Sequence, residues 1–539
     1  MLPLHQMFIT TAKKYYGEVA VVDRNMRKSI TYGRALIGAL LLARKFRKYQ
    51  SGYLGIMIPN SSGSILATIG ALFAGKVPVM INYSTGAAEN SEFAQQKCNF
   101  QTIITSRALL EKLGCRLVPG MVFIEDMVAS ASTFEKILAT VKSYLPGSLL
   151  KILVHRAQLD DTAVILFTSG SEKEPKAVDL SHRNIASNVA SAHKCLHFSN
   201  DDIMLCNLPY FHVFGFMANL WLPLSLGLKL VVYANPLDFK TIVRIIREEK
   251  VSLMWGTPFF LRGYLMQSSR GDFSSLRTVA AGADKLPAQL RDAYQEEHGI
   301  EVLEGYGVTE TSPLVSVNLP GANKHGSIGR PVPDVQVRIA DVDTHEPLPT
   351  GKEGKILVKG DLVMKGYLDD IEETALKIKD GWYETGDMGM FDDDGFLWHK
   401  GRLKRFAKIG GEMVSLVQVE SVLESLLPED VESCVVEIPD ARKGAIIAVA
   451  LDRKIDEKDI GKQLSALLPA IAVPRKYQVF ETLPKMGSGK IDFRATTEMV
   501  KSAIRKEIEA IEQQKTVKKK PAANAKKILK ASSNGNQKK

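Results

Sequence analysis

The stretch 229-KLVVYANPLDFKTIVRIIREEKVSLMW-255 holds the repeat on which the fold rests. KLVVY (229–233) and VSLMW (251–255) are short, almost wholly apolar runs, the pattern of strands buried on both faces. Between them FKTIVRIIREEK (239–250) carries its apolar residues at helical spacing. Strand, helix and strand at this spacing imply a parallel sheet with crossover helices. The alternation extends in both directions from about Asp161. AVILF (163–167), LRTVAAG (276–282) and IEVLEG (300–305) read as further strands, and PAQLRDAYQEEHG (287–299) as a helix with Pro287 at its first position.

Residues 326–400 change character, with Gly and Pro every few residues, and predict a hairpin-rich β unit. DDDG (392–395) reads as a turn within it; the alternating ligands and terminal Glu of a calcium loop are missing. After GRLKR (401–405) short α/β elements return until about residue 500, enough for a separate small domain. The expected fold is therefore α/β: a large N-terminal domain of parallel α/β sheets with a β-rich subdomain, then a small mobile α/β C-terminal domain. The expected boundaries are 1–401, 402–505 and a disordered Lys-rich tail over 506–539.

A chain of 539 residues is too long for a small binding module, and 45% apolar with 24% charged residues excludes a disordered or fibrous protein. The formal charge of +10 would suggest an acidic partner if it were spread over the chain. Nine of those charges are lysines between Lys515 and Lys539, where there is no Asp or Glu, so the first 514 residues are nearly neutral. Nucleic-acid binding is not expected, because only the tail suggests it. Cys98, Cys115, Cys195, Cys206 and Cys434 are scattered, which predicts reduced, mostly buried thiols. The start lacks the basic and apolar regions of a secretory signal, and a cytoplasmic protein is expected. Ile203–Leu228 contains no Asp, Glu, Lys or Arg and is long enough to span a bilayer. Pro209, Pro223, His212, Asn207 and Asn219 interrupt it, so a buried core segment is the reading.

The strongest local motif is ILFTSGSEKEPKAVDLSHRN (165–184), where a buried strand runs into small hydroxyl residues around a Gly. Backbone N–H groups and hydroxyls of Thr168, Ser169, Gly170, Ser171 and Glu172 can cradle phosphate oxygens, with Lys176 adding positive charge. The spacing is not that of a Walker A loop, which needs Gly-Lys-Ser/Thr where this chain has Pro175-Lys176.

This loop resembles the phosphate-binding loop of the AMP-forming adenylating superfamily of acyl-CoA synthetases, luciferases and peptide synthetase adenylation domains. LEGYGVTETSP (303–313), WYETGDMG (382–389), GRLKRFAKIGGEMVSLVQVE (401–420) and PKMGSGKIDF (484–493) resemble its other signatures, in order. GYGVTE and RFAKIGGEMVSL are most similar to bacterial acyl-acyl carrier protein synthetases.

The resemblance implies roles residue by residue. Thr309 would bond the α-phosphate and Glu310 would bind Mg2+, offsetting the repulsion between a carboxylate and ATP. Gly282, Ala283, Tyr306 and Gly307 would form the adenine slot, Asp387 and Arg402 would hold the ribose, and Lys490 would be the adenylation lysine. Lys404 would be the hinge, with Lys408, Gly410 and Gly411 serving thioester formation. Phe211 and His212 of LPYFHVFGF (208–216) would line the acyl pocket.

The implied reaction is ATP-dependent activation of a long-chain fatty acid through acyl-AMP, then transfer to the phosphopantetheine thiol of acyl carrier protein. Coenzyme A is the alternative acceptor, and an adenylate-binding protein without turnover is a second alternative. A basic group on the small domain (Arg405, Lys408, Arg442, Lys443, Arg475, Lys476) would suit an acidic carrier or the phosphates of coenzyme A. Lys173 and Ala177 stand where most members of the superfamily have Gly; side chains there can crowd the phosphates or demand positive φ, so either catalysis is slowed or the loop has adjusted. The tail would either hold the protein near an anionic membrane, where fatty acids partition, or serve only as a solubilising strip.

Overall fold

The computed structural model describes the chain except for residues 51, 169–174, 410–411, 429, 441–443, 486–490 and 508–539. It divides into two compact units, the first holding Met1–Lys400 and the second the described residues from Gly401 onward. The expected tail lies, beyond Glu507, outside the described residues.

The first unit is built on three sheets. Six neighbouring parallel strands make the middle of a nine-stranded sheet, in the order Val302–Gly307, Thr278–Ala281, Leu253–Gly256, Ile203–Cys206, Lys229–Val232 and Val19–Asp23. The helix Phe239–Glu249 crosses between two of them and buries Ile242, Val243, Ile245 and Ile246, as its spacing requires. Ala288–His298 is the expected helix after Pro287, but the proline stands at the N-cap with ψ of 140°, one residue before the helix. A seven-stranded sheet places Thr162–Phe167 parallel to Lys76–Met80 and antiparallel to Ala177–Ser181, whose far side pairs with Gly366–Tyr367. The third sheet is the antiparallel β unit foreseen after residue 326, with Gln336–Ala340, Gly354–Lys359 and Trp382–Phe391 at its heart. Its DDDG segment is a turn: Gly395 N–H donates to the Asp392 carbonyl at 3.0 Å, and Lys324 Nζ lies 2.8 Å from the Asp392 carboxylate.

The uncharged segment 203–228 is core. It supplies a central strand, the π-helical turn Gly215–Trp221 and the short helix Leu222–Leu226, with Tyr210, Phe216 and Trp221 buried. The wide π turn brings position 215 so close to its own chain that a Cβ there would lie 2.2 Å from the Pro209 carbonyl oxygen, which only Gly permits. Among the described residues no helix is long and apolar enough to cross a membrane. All five cysteines are free; Cys98, Cys206 and Cys434 are buried, and burial pushes the Cys195 thiol up to about 11.

The second unit packs the helices Leu416–Leu426 and Glu457–Leu467 on a three-stranded sheet. Ser433–Asp440 runs antiparallel and Lys476–Val479 parallel to the middle strand Gly444–Leu451. Leu423, Val435, Ile447, Val449 and Leu464 form its core.

Candidate active site

Thr278–Ala281 and Val302–Gly307 are adjacent parallel strands in which Ala281 pairs with Glu304, so Gly282, Ala283, Tyr306 and Gly307 gather at their carboxyl ends. That edge of a parallel sheet is where α/β proteins bind ligands. Ala283 has φ of 68°, a left-handed conformation uncommon for a residue with a Cβ and characteristic of functional turns. The Tyr306 hydroxyl donates to Asp387 Oδ2 at 2.6 Å, and its ring lies 5.8 Å from that of His399. Asp387 is only 2% exposed, and His399 Nε2 stands 3.7 Å from its Oδ1.

Beyond Tyr306 the chain turns tightly. A Cβ at position 307 would lie 1.8 Å from the Pro313 carbonyl oxygen, so the turn closes only on Gly. It leads to the 3-10 turn Thr309–Thr311, which presents Glu310. The Glu310 side chain is buried and its Oε1 accepts a hydrogen bond from Tyr367 at 2.8 Å, while its carbonyl accepts from Met364 N–H at 2.8 Å. Burial, reinforced by the Glu310 charge, holds the Tyr367 and Tyr383 phenols well above their ordinary value, so both remain donors.

On the neighbouring sheet the loop after Thr162–Phe167 is closed at its base by two hydrogen bonds. Thr168 N–H donates to the Lys176 carbonyl at 3.0 Å, and Lys176 N–H to Thr168 Oγ1 at 3.2 Å. Lys176 Nζ pairs with Glu373 and lies 5.0 Å from the centre of the Tyr367 ring. Tyr367 therefore joins Lys176 to Glu310. Ser169, Gly170, Ser171, Glu172 and Lys173 lie outside the described residues. Ala177 is the first residue of strand Ala177–Ser181, paired with Phe167 and buried, in extended backbone that does not call for Gly.

Phe211 packs edge-on against Tyr83 with ring centres 4.8 Å apart, and the His212 ring is 4.6 Å from that of Phe211. Phe214 of the same segment covers Gly282, where a Cβ would meet its Cε1 at 3.2 Å. The aromatic segment and the Gly282 turn are thus in contact.

In the second unit Arg402 ends strand Leu397–Arg402, Lys404 is in the 3-10 turn Leu403–Arg405, and Lys408 is in strand Phe406–Ile409. The side chains of Lys404 and Lys408 lie outside the described residues, as do Gly410, Gly411 and Lys490. Of the basic group, Arg405 is committed internally: it pairs with Glu420 at 3.0 Å and stacks 4.2 Å from the Phe493 ring. Arg442 and Lys443 also lie outside the described residues.

Comparison with known proteins places this geometry. The family model for the AMP-binding enzyme matches residues 8–368, and that for the AMP-binding enzyme C-terminal domain matches residues 418–490. The chain belongs to the AMP-binding enzyme family. The long-chain-fatty-acid–CoA ligase of Bacillus subtilis is 28% identical over 530 residues, covering 89% of this chain and 90% of that protein. 4-Coumarate-CoA ligase 1 of Narcissus pseudonarcissus is 28% identical over 516 residues, covering 91% and 92%. Among solved structures, ATP-bound MatB from Rhodopseudomonas palustris superposes with a TM-score of 0.81 at 23% identity, covering 92% of this chain and 99% of that one. The o-succinylbenzoate CoA synthetase of Bacillus subtilis with its acyl-adenylate gives 0.80 at 21% identity, covering 93% and 98%. The two structures establish the fold of this AMP-binding enzyme, and the family with its ligase relatives makes it an ATP-dependent, AMP-forming acid–thiol ligase.

Reading the sequence missed Tyr367, Tyr383, His399 and Glu373 in this enzyme. Tyr383 stands inside the quoted motif WYETGDMG and His399 two residues before GRLKR, and an aromatic beside an acidic site residue was the available signal. Tyr367 and Glu373 act through contacts 57 and 197 residues away in sequence, with no local pattern to mark them.

Proposed function

We propose that this ligase activates a long-chain fatty acid with ATP and transfers the acyl group to the phosphopantetheine thiol of acyl carrier protein. The observation that carries the adenylation step is the meeting of Tyr306, Asp387 and the Glu310 turn beyond one sheet edge. The fatty acid carboxylate attacks the α-phosphorus of ATP, pyrophosphate leaves with its bonding pair, and acyl-AMP forms. The thiolate sulfur then attacks the acyl carbonyl and AMP departs.

In this reading Gly282 and Ala283 pass close to the adenine, and the Tyr306 ring stacks on it. Asp387 accepts from the ribose hydroxyls; a carboxylate has about four acceptor positions, so the Tyr306 bond leaves capacity for both. Thr309 donates to the α-phosphate, Thr168 and the loop after it hold the outer phosphates, and Lys490 and Arg402 complete the set. Lys404 is the hinge. Mg2+ would be held by Glu310 together with phosphate oxygens and would screen the charge of the phosphates. A lone hard carboxylate suits that ion, which keeps most of its waters, and among the described residues no three His, Cys, Asp or Glu gather into a cage. Phe211 and His212 line the acyl side.

The acceptor rests on the motif resemblance. Coenzyme A is the second reading, favoured by relatives named as CoA ligases. AMP release from fatty acids of C8 to C18, with carrier protein and with coenzyme A in parallel, decides. Equal or faster turnover with coenzyme A transfers the assignment to the second reading, and no pyrophosphate exchange with any chain length removes both.

A further inference from the structure

The helix Thr133–Tyr144 turns an apolar face away from the protein. Its inner side is satisfied: Ala139 packs with Leu41 and Ala131, and the Ser143 carbonyl accepts from Lys13 Nζ at 2.9 Å. Its start is fixed by a capping box between Ser132 and Glu135. On the outer side, at spacings of three, four and three, stand Phe134, Ile137, Val141 and Tyr144, which are 68, 57, 57 and 68% exposed. The following helix, Gly147–Leu153, adds Leu149, Ile152 and Leu153, all exposed. Four exposed apolar residues aligned on one helix face mark a docking site, whereas single exposed apolar residues do not.

The charge around the stripe identifies the occupant. This helix, Gly147–Leu153, and the helices Leu4–Lys14 and Tyr32–Phe46 together contain eight Lys and Arg and a single acid, Glu135; the preceding helix Ile124–Ala129 adds Glu125 and Asp126, the latter paired with Arg107. Glu135 is paired with Lys45 at 2.9 Å and Arg44 at 3.2 Å, and its carboxyl is held down to about 2 first by the Ser132 N–H and then by these two cations. On the helical repeat Lys136 and Lys142 fall on opposite flanks of the apolar face. An apolar stripe with basic flanks is the composition of a helix that lies in the plane of a bilayer.

We propose that the outer face of Thr133–Tyr144, continued by Leu149, Ile152 and Leu153, seats the enzyme on an anionic lipid surface. Phe134, Ile137 and Val141 enter the headgroup boundary, and the flanking lysines meet lipid phosphates. One shallow apolar element binds weakly and reversibly, so the expected attachment is peripheral. The surface is distinct from the adenylation residues, so docking and catalysis are separable.

The test uses the full chain and vesicles of phosphatidylcholine with or without about a third phosphatidylglycerol. Phe134→Trp is the reporter: its emission, taken as a difference from the parent, is expected to shift to the blue with anionic vesicles and to stay unchanged with neutral ones. Ile137→Glu/Val141→Glu, exposed positions whose folding is checked by melting temperature, is expected to weaken vesicle binding by roughly tenfold or more while leaving pyrophosphate exchange unchanged. Unaltered vesicle binding by that variant, or no blue shift with anionic vesicles, overturns the proposal. So does a dimer in sedimentation velocity that the double variant dissolves, because the face would then belong to a second copy of the chain.

Discussion

The Tyr306 hydroxyl and the Asp387 carboxylate are 2.6 Å apart, 81 residues distant in sequence, and tie the nine-stranded sheet to the antiparallel β unit at the candidate nucleotide site. Asp387 is almost entirely buried, so the bond is also the support of a carboxylate that has left water. Tyr306→Phe removes that donor. The expected cost is about 1–3 kcal/mol of stability, as for other buried acceptors deprived of a partner. Thermal melts measure the loss, and pyrophosphate exchange is expected to show a KM for ATP raised about tenfold, the equivalent of ~1.4 kcal/mol. An unchanged KM would show that the Tyr306 bond is not needed to position Asp387 for the ribose.

Gly307→Ala places a methyl group against the Pro313 carbonyl. The turn must open by more than an ångström, which moves Thr309 and Glu310. Overpacking of this kind costs about 1–3 kcal/mol, a tolerable loss for a protein of this size. The expected result is therefore a folded protein, by circular dichroism, that has lost adenylation by a factor of roughly a hundred or more.

Tyr367→Phe tests the support of Glu310. A carboxylate that loses its orienting donor holds a metal less well, typically by a factor of about 10–100. Activity is expected to fall at low Mg2+ and to recover at high Mg2+. A uniform loss at every Mg2+ concentration would show that Tyr367 serves some other purpose.

His5 and His182 give the acid limit of the first unit. Their rings are 5.3 Å apart in the core, and burial above all other causes lowers His5 to about 4 and His182 to about 3. Unfolding restores an ordinary value near 6.5, so below that pH the unfolded chain binds protons that the folded one refuses. Stability from these groups is complete above about pH 6.5 and is lost as the pH falls toward 4, at up to ~1.4 kcal/mol per pH unit for each ring. Chemical denaturation between pH 7.5 and 4.5 measures the slope, and His182→Asn is expected to flatten it.

How much of this was legible in the sequence depends on the distance over which each feature is written. The strands Lys229–Val232 and Leu253–Gly256 and the helix between them follow from apolar spacing within a dozen residues. The role of segment 203–228 was legible for the same reason: interrupting prolines and amides argue against a span, and the segment is core. The position of Pro287 was misjudged by one residue because a proline fits both the N-cap and the first turn. The site was legible only where its residues stand in the quoted motifs. The Tyr367–Glu310 bond, the Lys176–Glu373 pair and the commitment of Arg405 to Glu420 depend on which strands become neighbours, and no local pattern states that.

The strand Gly366–Tyr367 is two residues long, yet it touches both halves of the candidate site. Its backbone completes the sheet edge beside Ala177–Ser181, the strand that leaves the Thr168 loop, and its tyrosine holds Glu310. A displacement of that loop large enough to shift Ala177–Ser181 is therefore expected to be felt at Glu310 through this one strand. This link predicts coupling between phosphate binding at the Thr168 loop and metal binding at Glu310, so the order in which the two ligands are added is expected to matter. Rapid-mixing experiments that add the metal before the nucleotide, and then after it, would expose that order as a difference in the lag before acyl-AMP appears.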